Sequence, residues 1–452
     1  MRRHPAATAL ATALVLMGGL LAGAPATSAS VGAAASAPAV AQVESRPKPA
    51  PDDYTPRGGV KFNNPLAAAD SRRRIIRHLL RTVNSVPGKE KIRIASWNFR
   101  SDELADALIR AHRRGVSVRV LVDRLNSNPD NRNDTFIRMT KAFRGDKNRK
   151  PEMRSFTRRC VSSCRYKGGI AHSKFFLFSR AGKATDVVIH GSFNATDLAS
   201  HSQWNDVFTV RGRTAIYDEF VHVYDQMVKD KAVKQPYLSG THGKFTSYFY
   251  PYKGEGTEKD PLLKELAKVR CQGATGGSGT NGRTKIRIAQ TSMHGDRGKA
   301  IAGRLRQMWQ RGCDVKIVYA VFGNEVLRIL RQTNRGPVPL KQIAQDFNLD
   351  GVYDRYLHMK NMSLSGVYAG DSAAEVTWNG SANWTSVALA SDETVMRIFD
   401  PKLRRQYSDW VDWLYANPPA YTAQEQAVVN ERRRAAAARG VVIDPYAQME
   451  LD

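Results

Sequence analysis

The sequence lacks long apolar runs beyond its N-terminus. After residue 30, no stretch reaches the roughly 18 apolar residues that a membrane-spanning helix requires, so the remainder of the chain is not expected to cross a bilayer. Of the 452 residues, 42% are hydrophobic and 25% are charged, which argues against a disordered chain and against a membrane-embedded one. This length accommodates two ordinary globular domains and a sizeable core.

The apolar N-terminus has the order of a targeting segment. A basic start, MRRH, precedes the apolar stretch AATALATALVLMGGLLAGA and a small-residue site at Thr27–Ala29. This order predicts a secretory signal peptide over residues 1–29 and a secreted, extracellular protein. A retained membrane anchor is the alternative, but the Ala- and Pro-rich residues 30–59 are typical of a cleavage site followed by a flexible leader. No cysteine follows the apolar run closely, which argues against a lipoprotein.

Cysteine is scarce as well. The four cysteines suit an oxidising compartment. Cys160 and Cys164 frame the short loop CVSSC, while Cys271 and Cys313 flank the start of the second half of the chain. We expect each couple to form a disulfide, although four cysteines allow three connectivities. A zinc site is the alternative, weakened because the C-x3-C spacing lacks a second compact pair of ligands.

Acidic residues are outnumbered by basic ones. The chain carries 69 Lys and Arg against 42 Asp and Glu, a formal net charge of +27. Such a surface concentrates anions, whether nucleic acid, anionic lipid head groups or acidic polymers. Basic composition is also common in exported proteins of high-G+C bacteria, whose Ala- and Arg-rich style this sequence shares. The charge by itself therefore selects no partner.

The chain contains an internal repeat. KIRIA occurs at Lys91–Ala95 and again at Lys285–Ala289, and each copy is followed by a helix that ends in Arg-Gly and then by a strand. A strand, helix and strand in this order form a βαβ unit with a parallel sheet, and their recurrence indicates a duplication. We therefore predict two α/β domains, a linker with a joining helix, and a helical tail. Their boundaries are residues 60–240 and 284–420 for the domains, 241–283 for the linker and 421–452 for the tail.

Polar side chains open an apolar strand in the first half. In IAHSKFFLFSRAGKATDVVIHGSFN, which begins at Ile170, two strands are expected to pair antiparallel around SRAGKA, with opposed residue numbers that sum to about 363. Period-2 geometry puts the histidine and the lysine on one face of their strand, beside the Gly-Ser-x-Asn group at one end of the hairpin. This cluster consists of His172, Lys174, Gly191, Ser192 and Asn194.

The second half repeats this cluster. In YLHMKNMSLSGVYAGDSAAEVTWNGSANW, which begins at Tyr356, opposed numbers sum to about 740, so the same polar groups meet at the end of an equivalent hairpin. One His-x-Lys or one Gly-Ser-x-Asn carries little weight. The ordered pair of motifs, once per half, is a strong signal. The second cluster consists of His358, Lys360, Gly380, Ser381 and Asn383.

Two histidines, two lysines and two asparagines at one interface suit a phosphodiester. Ammonium and amide groups stabilise the non-bridging oxygens, while one imidazole attacks phosphorus and the other protonates the leaving oxygen. The lysines supply the positive charge that a metal would give, so no metal or other cofactor is expected.

Each imidazole also needs an acceptor on its other ring nitrogen. Two carboxylates stand at matched spacing: Asp206 follows His172 by 34 residues, and Glu393 follows His358 by 35 residues. Asp392 is an alternative to Glu393. We therefore expect Asp206 and Glu393 to be equivalent residues of the two halves.

The two clusters resemble the signature of the phospholipase D superfamily, His-x-Lys-x4-Asp followed by Gly-Ser-x-Asn, in two copies between about Val60 and Trp413. The resemblance implies that each half is an α/β/α sandwich with a mixed sheet and that the active site lies between the halves. It also implies a two-step displacement through a phosphohistidine, with His172 as the nucleophile and His358 as general acid and then base. The residues implied to bind the substrate phosphate are Lys174, Lys360, Asn194 and Asn383, supported by Ser192, Ser381, Gly191 and Gly380, with Asp206 and Glu393 orienting the histidines.

One position departs from the signature in both copies. The motif aspartate is Ser179 in the first half and Ser365 in the second. In the superfamily this aspartate is mainly a structural hydrogen-bonding group. The departure therefore bears on local rigidity and on rate more than on the type of chemistry.

Three functions follow as hypotheses. The first is a secreted phosphodiesterase that cleaves phospholipid head groups, because secreted two-domain members of the superfamily most often act on lipids. The second is a secreted nuclease, which the net charge favours. The third is a catalytically silent module that binds anions, suggested by the two missing aspartates. The expected partners are a phosphodiester substrate and anionic surfaces, with transient membrane contact, and the chain is expected to act as a monomer.

Overall fold

The computed structural model describes residues 50–146, 149–252, 257–349 and 353–440. The predicted signal peptide, most of the predicted leader and residues 441–452 of the predicted tail lie outside these ranges. The described residues belong to one compact unit. Within them, we find no helix that has both the length and the apolar character to cross a bilayer.

The described chain alternates strands and helices. The strands are β1 (Gly59–Phe62), β2 (Lys91–Ser96), β3 (Phe99–Arg100), β4 (Ser117–Asp123), β5 (Phe156–Cys160), β6 (Phe175–Ala181), β7 (Ala184–Gly191), β8 (Ala195–Thr196), β9 (Gln203–Trp204), β10 (Asp206–Val210), β11 (Leu238–His242), β12 (Phe245–Phe249), β13 (Val269–Arg270), β14 (Lys285–Met293), β15 (Asp314–Phe322), β16 (Leu340–Gln342), β17 (Ala344–Gln345), β18 (Arg355–Leu357), β19 (Lys360–Tyr368), β20 (Asp371–Gly380) and β21 (Thr394–Phe399). The helices are α1 (Ala69–Arg72), α2 (Arg74–Asn84), α3 (Asp102–Arg113), α4 (Asp134–Phe143), α5 (Asp197–His201), α6 (Thr214–Val228), α7 (Pro261–Ala267), α8 (Gly295–Gln310), α9 (Asn324–Arg331), α10 (Ser386–Ala390), α11 (Pro401–Ala416) and α12 (Ala423–Ala438).

Lobe 1, which comprises β1 to β10 and α1 to α6, is built on a mixed sheet in the order β1-β10-β7-β6-β2-β4-β5. Strands β2, β4 and β5 run parallel, and β6 pairs antiparallel with β2. Both faces of the sheet are apolar, as expected for strands covered on both sides. One face shares a core with α2 and α3, and the other packs against α6, where Phe175 and Phe220 meet edge to face at 5.4 Å.

Lobe 2, which comprises β11 to β21 and α7 to α11, repeats this plan. Its sheet has the order β11-β12-β21-β20-β19-β14-β15-β16, with β13 added beside β19. Strands β21, β20, β19, β14, β15 and β16 match β10, β7, β6, β2, β4 and β5 in order and direction. The predicted fold class of two fused α/β/α repeats is therefore confirmed.

The two predicted hairpin registers differ in outcome. In lobe 2, Met362 pairs with Trp378, so opposed numbers sum to 740 as predicted. In lobe 1, Phe176 pairs with Ile189, and the predicted register is wrong by two residues. The reason is a two-residue turn at Gly182–Lys183, which requires the positive φ of +56° that glycine adopts easily. A shift of two leaves every side chain on its predicted face.

Both predicted disulfides are confirmed. Cys160 bonds to Cys164, and Cys271 bonds to Cys313. The first closes the loop that leads from the end of β5 toward His172. The second ties the segment before β14 to the start of β15.

Candidate active site

Each predicted histidine lies just before a strand of its own sheet, at a point where its backbone contacts the other lobe. The backbone N–H of His172, just before β6, donates to the carbonyl oxygen of Asp392 (3.1 Å). The backbone N–H of His358, just before β19, donates to the carbonyl oxygen of Trp204 (2.9 Å). Because Asp392 belongs to lobe 2 and Trp204 to lobe 1, the lobes exchange short backbone pairings on both sides of the centre.

These pairings bring a side-chain acceptor from the opposite lobe to each imidazole. Nδ1 of His172 lies 2.7 Å from Oε1 of Glu393, and Nδ1 of His358 lies 3.0 Å from Oδ1 of Asn205. A carboxylate oxygen and an amide oxygen both accept, so both rings carry their proton on Nδ1 and leave Nε2 for chemistry. The two acceptors differ in charge, which makes the centre asymmetric.

The predicted pairing of Asp206 with Glu393 is wrong by one residue. The backbone N–H of Ser192 donates to the carbonyl oxygen of Asp206 (3.0 Å). In the same way, the backbone N–H of Ser381 donates to the carbonyl oxygen of Thr394 (2.9 Å). Asp206 therefore corresponds to Thr394, and the counterpart of Glu393 is the asparagine that precedes Asp206. The prediction sought a carboxylate in each half, whereas lobe 1 has an amide at this position.

The amide of Asn205 is held in one orientation. Its Nδ2 donates to the carbonyl oxygen of Ala199 and to Oε1 of Gln203, both at 3.2 Å. Its Oδ1 accepts from Oγ of Ser192 at 2.8 Å as well as from His358. Asn205 is thus a site residue that the sequence prediction missed. The sequence feature that could have pointed to it is its position one residue before Asp206.

Asp206 has a different environment from the one predicted. Its Oδ2 accepts hydrogen bonds from the hydroxyl of Tyr407 (2.6 Å) and from Nδ2 of Asn379 (3.2 Å). Burial raises the pKa of this carboxyl, and the hydrogen bonds from Tyr407 and Asn379 oppose that rise. Asp206 therefore joins β10 to helix α11 and to β20.

Replacing Tyr407 by phenylalanine should destabilise the protein, because it leaves the buried Asp206 carboxylate with one donor fewer. The pKa of Asp206 in the folded chain, already above its unfolded value, would rise further, so the variant loses additional stability as pH rises past the folded pKa of the native protein. We expect a loss of about 1–3 kcal/mol in the free energy of unfolding near pH 7.5 and a smaller loss near pH 4. Urea denaturation at both pH values measures this. Tyr415→Phe, on the same helix, is the control, and equal losses in the two variants would contradict the assignment.

Asp392, the alternative to Glu393, does not supply the acceptor for Nδ1 of His172. Its Oδ2 accepts from the backbone N–H of Cys164 at 2.5 Å. Burial raises the pKa of this carboxyl to about 7. Asp392 therefore anchors the disulfide loop of lobe 1 to lobe 2, beside the residue that pairs with His172.

The lysines and asparagines of both motifs are buried at the ends of their strands. Nζ of Lys174 donates to the carbonyl oxygen of His172 (2.6 Å), and Nζ of Lys360 donates to that of His358 (2.9 Å). Each ammonium group is thus held two residues from its histidine. Asn194 and Asn383 are at most 2% exposed. Asn194 follows β7 and Asn383 follows β20, so the two lie at equivalent edges of their own sheets.

The serines and glycines of the motifs have structural contacts within the centre. Ser381 donates its hydroxyl to Oε2 of Glu393, as Ser192 does to the amide of lobe 1. A Cβ atom at Gly191 or Gly380 would lie 2.3 or 2.0 Å from a backbone oxygen of the neighbouring strand. These glycines permit close strand approach, and the serines hold the acceptors of the opposing histidines.

The two serines that replace the motif aspartates each contact a glutamate. Oγ of Ser179 donates to Oε2 of Glu90 (2.7 Å), and Oγ of Ser365 donates to Oε1 of Glu375 (2.6 Å). Each hydroxyl also accepts from a backbone N–H at 2.8 Å. A neighbouring carboxylate therefore accompanies the hydroxyl in both halves, and local hydrogen bonding is retained.

An aromatic-lined cavity adjoins Lys360 in lobe 2. It lies between the sheet face of β19 and β20 and the start of α7. Its ring-bearing walls are Tyr248, Tyr250, Trp378 and Trp384. Aromatic rings also border both imidazoles: Trp97 meets His172 edge to face at 6.1 Å, and Tyr356 meets His358 at 5.9 Å.

In the part of the chain that the structure describes, no three His, Cys, Asp or Glu side chains gather as potential metal ligands.

Two α/β repeats, each with the same cluster of histidine, lysine and asparagine, define a two-lobed protein with matched clusters in its halves. A family model described as "Cardiolipin synthase, PLD-like domain" matches residues 83–228 and 280–415, together more than half of the chain. The chain belongs to the phospholipase D-like family, whose members act on phosphodiester bonds.

Two solved structures with TM-scores of at least 0.50 share this fold at low sequence identity. Phosphatidylserine synthase from Haemophilus influenzae Rd KW20 is 11% identical with a TM-score of 0.51, over 84% of this chain and 94% of that one. Polyphosphate kinase from Porphyromonas gingivalis is 11% identical with a TM-score of 0.50, over 84% of this chain and only 56% of that one. The phospholipase D family member Nuc from Salmonella typhimurium is 18% identical with a TM-score of 0.29, over 38% of this chain and 96% of that one. Comparison with curated proteins finds no sequence match.

Proposed function

We propose that this protein is a phosphodiesterase that works by two displacements at phosphorus, with His172 as the nucleophile. The observation that carries the proposal is the unequal pairing of the imidazoles across the lobes: His172 with a carboxylate at 2.7 Å and His358 with an amide at 3.0 Å. A phosphorylated imidazole carries positive charge, which a carboxylate stabilises and a neutral amide does not. The histidine that forms the covalent intermediate is therefore His172.

The first step forms one bond and breaks one. Nε2 of His172 attacks phosphorus, and the bond from phosphorus to the leaving oxygen breaks as Nε2–H of His358 gives that oxygen its proton. The neutral acceptor on His358 makes its imidazolium the easier of the two to deprotonate, which suits a general acid.

The second step restores the enzyme. Nε2 of His358, now neutral, takes a proton from water or an alcohol whose oxygen attacks phosphorus, and the bond between phosphorus and His172 breaks. Lys174 and Lys360, each held by a carbonyl oxygen of its own motif, stabilise the charge on the non-bridging oxygens, together with Asn194 and Asn383.

For the substrate we propose a phospholipid. In-line displacement puts the leaving group opposite His172, on the side of His358 and lobe 2. The aromatic-lined cavity beside Lys360 lies on that side and offers mainly apolar walls to a small head group. A nucleic acid is the second candidate, favoured by the net charge of +27. Secretion, predicted from the N-terminal sequence, is part of this proposal, and mass spectrometry of the exported protein would locate the mature N-terminus.

The proposal predicts cleavage that survives chelation, because the lysines supply the positive charge at the phosphate. Purified protein would be incubated with phosphatidylcholine vesicles and, separately, with plasmid DNA, each with and without excess EDTA. We expect release of choline at an EDTA-independent rate. Nicking of DNA without choline release would select the nuclease. A rate abolished by EDTA and restored by Mg²⁺ would contradict the mechanism. If neither substrate is cleaved, the hypothesis that remains is the catalytically silent module that binds anions.

A further inference from the structure

We infer that the loops at the active-site edge of lobe 1 form a surface that seats on an anionic lipid bilayer. The inference rests on the proposed function, since it concerns how a phospholipid reaches the centre. The surface, called the rim here, consists of four exposed apolar side chains: Leu66 (47% exposed), Leu125 (46%), Val161 (68%) and Leu198 (42%).

The rim gathers on one edge of the sheet. Leu66, Leu125 and Val161 follow the ends of β1, β4 and β5, and Leu198 follows the end of β7 by way of Asn194. Strand pairing puts all four of these strand ends on the same edge, because β1, β7, β2, β4 and β5 run in one direction while β10 and β6 run in the other. Strand β6 begins at this same edge, and His172 lies just before it.

The rim residues fall on two sides of the centre. On one side, Nδ2 of Asn63 donates to the carbonyl oxygen of Ala199 (3.1 Å), so the loop that carries Leu66 contacts the helix that carries Leu198. On the other side, Asp123 pairs with Cys160, so the loops that carry Leu125 and Val161 leave adjacent strands. In the sheet order, β6 and β2 lie between these two pairs.

Clustering separates the rim from ordinary scattered surface residues. Single exposed apolar side chains are normal. Across the described ranges, however, the large apolar side chains with comparable exposure outside the rim are Phe399, Trp413 and Val428. More than half of them therefore stand on one edge of the lobe 1 sheet, the edge at which His172 lies.

Charge complementarity selects the partner. Exposed basic residues adjoin the rim: Arg124 precedes Leu125, and Arg159 and Lys167 flank the disulfide loop that carries Val161. Acidic groups also lie near the rim in the described ranges: Asp197 precedes Leu198, and Oδ2 of Asp230 accepts from the backbone N–H of Val161 (3.2 Å). Asp70, four residues after Leu66, is paired with Arg77 (2.7 Å). Apolar side chains surrounded by basic residues are suited to a lipid surface. There the apolar side chains enter the boundary of the acyl chains, and the basic side chains contact anionic head groups. Nucleic acid would engage the cations and leave the aliphatic tips in water.

The test separates membrane docking from chemistry. Leu125→Ser/Val161→Ser removes two rim side chains, and Val428→Ser, on α12 outside the rim, is the matched control. Binding is measured by sedimentation with vesicles of phosphatidylcholine and phosphatidylglycerol. Hydrolysis is measured on the same vesicles and on the water-soluble diester bis(4-nitrophenyl) phosphate. We expect the rim variant to bind vesicles about tenfold more weakly, with a matching loss of vesicle hydrolysis, and to keep its rate on the soluble diester.

A charge variant tests the second component. Lys167→Gln should weaken binding about fivefold on vesicles that contain phosphatidylglycerol and leave binding to pure phosphatidylcholine unchanged. Equal vesicle binding by the rim variant and the control would overturn the inference, as would tight binding to DNA without binding to vesicles. If the native protein cleaves neither diester, the proposed function fails, while the sedimentation result still decides the docking surface.

Discussion

Replacing His172 by alanine should lower the turnover of a phosphodiester about a thousandfold or more. The variant lacks the nitrogen that forms the bond to phosphorus in the proposed mechanism. Because the backbone N–H of residue 172 still donates to Asp392, the fold should persist, with circular dichroism unchanged. Turnover is measured on a soluble diester so that membrane binding does not enter the comparison.

The matched control for this prediction is His358→Ala, which should fail at a different step. With the nucleophile intact and the acid and base removed, a substrate with a good leaving group should phosphorylate the protein and then hydrolyse slowly. Rapid quenching followed by mass spectrometry should find the phosphoryl group of the substrate, with its remaining ester, on His172 in the His358 variant and on no histidine in the His172 variant. Phosphate on His358 in the His172 variant would reverse the two roles.

The second large effect concerns the acceptor of His172. Glu393→Gln keeps the shape of the side chain and removes its charge, so the phosphorylated imidazole loses its stabilising partner. We expect turnover to fall about a hundredfold. In the reciprocal variant Asn205→Asp, His358 gains a carboxylate and becomes harder to deprotonate, so the loss should be smaller and confined to the leaving-group step.

Combining the two substitutions exchanges the acceptors. In Glu393→Gln/Asn205→Asp the carboxylate faces His358 and the amide faces His172. If the acceptor decides which histidine is the nucleophile, part of the trapped phosphate should move to His358. Phosphate that remains wholly on His172, at the level of Glu393→Gln alone, would contradict the argument from unequal pairing.

Much of the fold could be predicted because its determinants are local. The βαβ order, the repeat and the two hairpins follow from periodicity and from the recurrence of KIRIA. The register in lobe 2 was predicted correctly: its turn pairs Tyr368 with Asp371, a sum of 739, and the irregularity between Gly366 and Tyr368 brings the rest of the ladder to 740. In lobe 1 the chain turns in two residues, at Gly182–Lys183, and the prediction allowed six.

The acceptors could not be predicted in the same way because they depend on contacts between lobes. Nothing in the spacing of His172 indicates that its partner lies 221 residues away. Matching Asp206 to Glu393 by their distances from the histidines ignored that the connecting loops differ in length, and the search for a carboxylate passed over Asn205. The glutamates that accompany Ser179 and Ser365 lie in the same lobes as their serines. Glu375 stands directly opposite Ser365 in the register that was predicted, whereas Glu90 precedes β2 and contacts Ser179 of the neighbouring strand β6.

The crossed pairing has a consequence for how the two halves evolve. Each half supplies the acceptor for the other's histidine, so a substitution at Asn205 is felt at His358, and one at Glu393 is felt at His172. In a homodimer of identical halves, both acceptors would be encoded by one codon and would change together. Fusion gives each half its own codon, so one acceptor can be an amide while the other stays a carboxylate. A chimera of two first halves would have two amides, and a chimera of two second halves two carboxylates. By this reasoning the fused chain can keep two different acceptors, as a dimer of two separately encoded halves could.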